Sequence, residues 1–273
     1  TTPSGLTKTV PKDGDNVNIG DTVTYTVKFK TANYDGTKQI VSYTITDTLP
    51  EFLSNVTVTS ITIDGTAYTD NGKAPQFNAT TKSITIPWAD ENKTSLYKNG
   101  AEIVITYTAV VTADATIDGN GNTNTVTISW KCSDGSTPGD NDKLTTTETI
   151  YTYAIALKKV NENGKALPGA VFELPFYVKE TPDTTDGAYI YAGTQAGDGL
   201  TNQLTTPADG VIVVKGVKAG TYSITEVTAP NGYNKLKDAV SVTAVQTSAT
   251  RTDKTFYLDE NGNVVDKETK TTV

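Results

Sequence analysis

The sequence predicts an all-β chain of two tandem β-sandwich domains, and three observations carry that prediction. Apolar residues alternate with polar ones at a period of two along most of the chain. Threonine fills about a fifth of the positions, in line with the preference of strands for β-branched side chains. Turn signals such as Asp35-Gly36, Asp64-Gly65, Asn71-Gly72, Asn99-Gly100 and Asp118-Gly-Asn-Gly121 punctuate the pattern, and no stretch carries a helical stripe with caps.

In chain order, Val23, Tyr25, Val27 and Phe29 share one face of a strand, with Thr22, Thr24, Thr26 and Lys28 on the other. The same habit returns in Val41 to Asp47, Ser83 to Trp88, Ile103 to Val111 and Thr125 to Trp130. One short helical turn is expected at most, near Ala89 to Tyr97. A polar stretch, Ser133 to Asp142, reads as the break between two patterned regions. A strand from Thr149 to Val160 then opens a second block with its own turns at Asn163-Gly164, Asp209-Gly210 and Asn231-Gly232. The expected domains are 1–150 and 151–273, each able to bury a core. Regularly spaced short strands fit sandwiches better than a ligand-holding barrel.

Composition excludes whole classes of function. The 273 residues include no histidine, no methionine and one cysteine. Imidazole-based nucleophilic catalysis, histidine or thiolate metal centres and an intrachain disulfide are therefore ruled out. The formal net charge of −8 argues against binding nucleic-acid phosphates. No apolar run approaches the roughly 18 residues of a membrane span, and no secretory leader is recognisable. The missing initiator suggests an excised or processed segment. No cofactor and no metal are expected. Asp259 to Asp266 only faintly resembles a calcium loop, and the sequons at Asn55, Asn78 and Asn92 are expected by chance in so threonine-rich a chain.

The informative residues are polar groups on the apolar face of otherwise clean strands. Lys8 shares parity with Leu6 and Val10, and Asp47 with Tyr43, Ile45 and Leu49. Asn122 and Asn124 continue the inward face of Val126, Ile128 and Trp130. In the second block Lys159 follows Ile155 and Leu157, and Glu226 follows Tyr222 and Ile224. Taken singly, each reads as a strand-end residue reaching solvent or as half of a buried ion pair. Taken as two lysine-plus-carboxylate sets, they suggest an intramolecular isopeptide bond. A lysine in an apolar site loses its proton readily, and its free amine can attack an asparagine carboxamide and expel ammonia. A carboxyl group in the same dry site assists by moving protons.

The motifs carry a resemblance. Leu6-Thr-Lys-Thr-Val10, Gly20-Asp-Thr-Val-Thr-Tyr25, Thr46-Asp-Thr-Leu-Pro50 and Gly121-Asn-Thr-Asn-Thr-Val126 resemble the isopeptide-forming middle domain of sortase-assembled backbone pilins of Gram-positive bacteria. The second block is similar to the CnaB-type domain of the same proteins, in Leu157-Lys-Lys-Val-Asn161, Gly164 to Leu174 and the Tyr222 to Tyr233 stretch. The resemblance implies immunoglobulin-like sandwiches, a CnaA-like domain followed by a CnaB-like one. It makes Lys8 the amine, Asp47 the acid and Asn124 the amide donor, with Asn122 and Glu102 as fallbacks. In the second domain it makes Lys159 the amine and Glu226 the acid. There Asn261 and Asn263 flank a turn, so the acceptor asparagine is expected beyond Val273. No Leu-Pro-x-Thr-Gly signal or Tyr-Pro-Lys motif is present, which implies a two-domain fragment of a longer subunit.

By resemblance the chain is a pilus shaft component, extracellular and cell-wall-anchored. Sortase joins its pilin neighbours covalently, and host surface ligands form a second partner class. It is no enzyme beyond single-turnover formation of its own crosslinks. The alternative is a stalk or ligand-binding module of an anchored adhesin. A glycan-cleaving sandwich is the least favoured reading, because Asp47 and Glu226 fall in different blocks.

Overall fold

The structure, a computed structural model, describes residues 2–180, 187–244, 250–258 and 264–272. Every regular element among the described residues is a β-strand. Among the described residues no helix is long and apolar enough to cross a membrane. The chain forms two compact units. The first takes the chain up to Asp15 together with Thr22–Val110 and Thr123–Thr149. The second takes Asn16–Asp21, Val111–Asn122 and the chain from Ile150 onward.

The first unit is built from β1 (Ser4–Thr9), β2 (Thr22–Lys30), β3 (Tyr34–Asp35), β4 (Lys38–Asp47), β5 (Leu53–Ile63), β6 (Thr66–Ala67), β7 (Ser83–Pro87), β8 (Glu102–Val111), β9 (Asn122–Cys132) and β10 (Leu144–Ile150). One sheet has the order β1-β2-β8-β5-β6; the other has β10-β9-β4-β3, with β7 also paired to β4. Strict alternation in β8 buries Ile103, Ile105, Tyr107, Ala109 and Val111 on one face. The unbroken antiparallel register from Thr22↔Val110 to Lys30↔Glu102 sets Tyr25 opposite Tyr107. A register slip of one residue would turn that whole face outward, so burial of the aromatic row fixes the pairing. Tyr43 anchors the second sheet with its ring edge-on to Trp88, 5.1 Å between centroids. Its hydroxyl donates to the Ala32 carbonyl at 2.7 Å and accepts from the Ala32 amide at 2.8 Å.

Three local expectations change. The segment from Ala89 to Tyr97 forms turns closed by an Ala89↔Ser95 bridge, with no helix. The polar stretch Ser133 to Asp142 lies in the β9–β10 connection inside the first sandwich. It ends a strand without ending the domain, because β10 returns to pair with β9. The expected strand from Thr149 to Val160 is interrupted at Tyr151 and Thr152, so its first residues belong to β10.

The second unit continues with β11 (Tyr153–Lys159), β12 (Val171–Glu180), β13 (Ala188–Tyr191), β14 (Thr201–Thr205), β15 (Val211–Val217), β16 (Gly220–Thr228), β17 (Val240–Ala244), β18 (Thr250–Leu258) and β19 (Val264–Thr272). The strands follow the path β17-β16-β12-β13-β15-β11-β18-β19, with β14 on β12. The core gathers Phe172, Phe176, Leu204, Val214, Ile224 and Val242. Gly216 shows why Asn16–Asp21 joins this unit. Its φ is 89°, and a Cβ there would meet Ile19 Cδ1 at 2.4 Å. The bare backbone lets Ile19 lie against β15, where its amide donates to the Gly216 carbonyl at 2.9 Å.

Candidate functional site

The first sandwich converges on Lys8. Alternation in β1 turns this lysine inward, and its side chain is fully buried. Its Nζ lies 2.6 Å from Asp47 Oδ2. It also lies 4.9 Å from the centroid of the Tyr25 ring and 5.6 Å from that of Tyr107. Those two rings stack at 5.3 Å, and Phe77 meets Tyr107 edge-on at 5.2 Å, which keeps water away from the amine. Burial is the largest influence on Lys8 and pulls its pKa below the usual lysine value, although the Asp47 charge opposes the shift.

Asp47 closes β4 at a point where the chain turns sharply. Leu49 adopts a φ of 39°, in the left-handed region, just before Pro50. Asp47 Oδ1 fastens that turn by accepting the Leu49 amide at 3.0 Å. Oδ2 accepts both Lys8 Nζ and the Tyr107 hydroxyl, the latter at 2.5 Å. Three donors thus compensate a carboxylate with no exposure, which is what makes so dry a charge tolerable.

Asn124 completes the group from β9. Its Nδ2 donates to Tyr107 Oη at 3.0 Å, and its Oδ1 accepts the Thr48 hydroxyl at 2.9 Å. Thr48 Oγ1 is fixed in turn by the Thr125 amide at 3.0 Å. Amine, acid and carboxamide therefore meet in one network, Lys8–Asp47–Tyr107–Asn124, with Lys8 and Tyr107 from one sheet and Asp47 and Asn124 from the other.

The fallback residues stand elsewhere. Asn122 serves its own loop, accepting the Thr116 amide at 2.7 Å and donating to the Thr116 and Ile150 carbonyls. Glu102 sits at the open end of β8, 3.2 Å from an exposed Lys30. Tyr107 and Thr48 are the residues that sequence reasoning missed. The available signal was a tyrosine in the middle of a clean apolar face, whose hydroxyl needs a partner once buried.

In the second unit Lys159 Nζ lies 3.3 Å from Glu226 Oε1, and both side chains are essentially inaccessible. The contact is ionic without hydrogen-bond geometry. Glu226 Oε2 accepts the Leu236 amide at 2.7 Å. Lys158 faces outward. The strand beside β11 is β18, parallel to it, with Phe256 opposite Lys159, and its sequence contains no asparagine. Asn261 and Asn263 lie outside the described residues. Cys132 is a buried free thiol whose pKa burial pushes up, which suits a packing role. No cluster of three or more cysteine or carboxylate side chains suited to a metal occurs among the described residues.

Residues 153–259 match the family model of the SpaA prealbumin-like fold domain. Over 292 aligned residues the chain is 27% identical to the trypsin-resistant surface T6 protein of Streptococcus pyogenes serotype M6, covering 94% of this chain and 50% of that protein. The crystal structure of the group B streptococcus pilus 2b backbone protein matches with a TM-score of 0.64 at 29% identity, covering 88% of this chain and 90% of that one. The chain is similar to streptococcal backbone pilins. It spans about half the length of its T6 relative. The T6 backbone pilin structure has the same fold over 96% of this chain, with a TM-score of 0.59 at 21% identity. The second unit, which holds the residues matching the SpaA model, has a buried Lys159–Glu226 pair, and the first gathers Lys8, Asp47 and Asn124 in its core.

Proposed function

We propose that the chain is a load-bearing segment of a covalently polymerised pilus shaft subunit on the outer surface of a Gram-positive bacterium. Its first unit is locked by an autocatalytic amide between Lys8 and Asn124, with Asp47 as the assisting acid. The carrying observation is a fully buried lysine held against a fully buried carboxylate, in one hydrogen-bonded network with an asparagine carboxamide. Similarity to backbone pilins supports the shaft role. Neighbouring pilin subunits, linked by a sortase, are the partners, and attachment to the cell wall follows from that role. The only chemistry is intramolecular and occurs once per chain.

Intact mass tests the reading. Each lysine–asparagine bond expels ammonia, so the folded chain is about 17 Da lighter than its sequence. Lys8→Met and Asp47→Ala restore the full mass. A succinimide at an Asn-Gly turn loses the same mass, so a proteolytic peptide branched between Lys8 and Asn124 is the decisive product. One loss is expected, because the strand beside Lys159 carries no asparagine. A second loss, mapped to Lys159, would place an acceptor within this chain. A full-mass wild-type chain with Lys8 unmodified would reduce the site to a buried ion pair and favour the adhesin stalk.

A further inference from the structure

We propose that Tyr107 and Thr48 are catalytic residues of the crosslinking reaction: Tyr107 relays the proton to the departing amide nitrogen of Asn124, and Thr48 stabilises the oxyanion on its carbonyl. The inference rests on the Lys8–Asn124 reading and specifies how that bond is made. Asp47 makes no direct hydrogen bond to Asn124; Tyr107 Oη stands between them, 2.5 Å from Asp47 Oδ2 and 3.0 Å from Asn124 Nδ2. The other side of the carboxamide is held by the Thr48 hydroxyl at 2.9 Å.

The sequence of steps balances. Lys8 passes one proton to Asp47, giving a neutral amine and a carboxylic acid. The amine lone pair attacks Asn124 Cγ, forming the Nζ–C bond and moving charge onto Oδ1, where the Thr48 O–H donates to it. Nδ2 is now tetrahedral and carries a lone pair, so the hydrogen-bond chain reverses. Asp47 gives its proton to Tyr107 Oη while the Tyr107 proton moves to Nδ2. Asp47 then takes a proton from Nζ. The C–Nδ2 bond breaks, the carbonyl re-forms and ammonia leaves, with Asp47 left protonated. Five protons are shared by the lysine ammonium, aspartate and carboxamide at the start, and five by the amide, ammonia and carboxylic acid at the end. Tyr107 is chemically unchanged, as its position requires, since burial beside Asp47 makes a free phenolate costly.

The full chain is made by cell-free translation, synthesis is halted, and intact mass is followed in time for the wild type, Tyr107→Phe, Thr48→Val and Thr48→Ser. Tyr107→Phe keeps the ring that stacks on Tyr25 and meets Phe77, and Thr48→Val keeps the side-chain shape. Thermal melts beside the unlinked Lys8→Met variant check that each is folded. Loss of 17 Da is expected to slow at least about a hundredfold in Tyr107→Phe and in Thr48→Val, with most of the rate regained in Thr48→Ser. A folded Tyr107→Phe chain that links at the wild-type rate overturns the relay. A Thr48→Val chain that does so overturns the oxyanion role, and it decides that point even where Tyr107→Phe loosens the core. A wild-type chain that never links refutes the underlying reading instead, which keeps the two failures distinct.

Discussion

Lys8 is governed by two opposing effects of the same burial. Desolvation disfavours the ammonium form, while Asp47 at 2.6 Å favours it, and desolvation is the larger. The balance leaves the lysine easier to deprotonate than one in water, which a nucleophile requires. In Asn124→Ala, where Lys8 stays unlinked, a pH effect follows. The folded state binds the Lys8 proton more weakly than the unfolded state. Between the depressed folded pKa and the ordinary value of 10.5, the unfolded chain therefore holds more protons, and stability rises with pH. Urea midpoints of Asn124→Ala should climb across that window relative to Lys8→Met/Asn124→Ala; parallel profiles would remove desolvation as the dominant influence. Asp47→Ala tests the other half of the balance. Stripping the hydrogen-bonded carboxylate from a buried ammonium costs about 3–5 kcal/mol in the unlinked chain. At about 2–4 °C per kcal/mol, the melting temperature of Asn124→Ala/Asp47→Ala should fall about 6–20 °C below that of Asn124→Ala.

Strands and turns decide which groups can meet. The period of two sends Lys8, Asp47, Tyr107 and Asn124 inward from four different strands, and the sheet registers bring them to the same depth. Turns do the fine positioning, as where the bend after β4 places Thr48 against Asn124. The second unit offers a direct test of the same idea at Gly210. With φ at 72°, a Cβ there would stand 2.5 Å from the Lys159 carbonyl oxygen, and the Gly210 carbonyl accepts the Lys159 amide at 2.8 Å. Gly210→Ala must therefore push β11 away at the residue that carries the buried amine. A loss of about 1–3 kcal/mol is expected in the unfolding of the second unit, read by differential scanning calorimetry, with the transition of the first unit unmoved.

At the scale of the molecule, the proposed Lys8–Asn124 bond would join β1 of one sheet to β9 of the other and so staple the two layers of the first sandwich. Because β9 is followed by β10 in the same unit, the proposed staple is internal to the fold. Its mechanical consequence is large. With the proposed bond in place, chain between the two residues could not extend under tension, which would hide about 400 Å of contour at 3.3–3.6 Å per residue. Force spectroscopy of the linked chain should lack that extension, and Lys8→Met should recover it; equal contour lengths in the two would refute the staple. In the chain-entropy picture the same closure, over a loop of roughly a hundred residues, stabilises by about 4–5 kcal/mol. An amide gives this protection without cysteine pairs, and thiols cannot undo it.

Much of this protein was legible in its sequence because burial and alternation are local properties. Period-two runs marked the strands. A lysine and carboxylates on apolar faces marked the cores they share, since a charge inside a sandwich demands a partner whatever the partner is. Two kinds of fact were beyond that reach. Asn122 and Asn124 share a face, so parity could not separate them. Only the packed structure shows that one ties down a loop while the other meets Tyr107. Likewise the polar stretch at Ser133 to Asp142 looks the same in sequence whether it joins two strands or two domains, and the return of β10 to β9 decides it. Alternation fixes direction across a strand but not position along it or the identity of the neighbour. Tyr107, Thr48 and the choice of asparagine therefore belong to the tertiary structure, where residues far apart in the chain come within hydrogen-bonding distance.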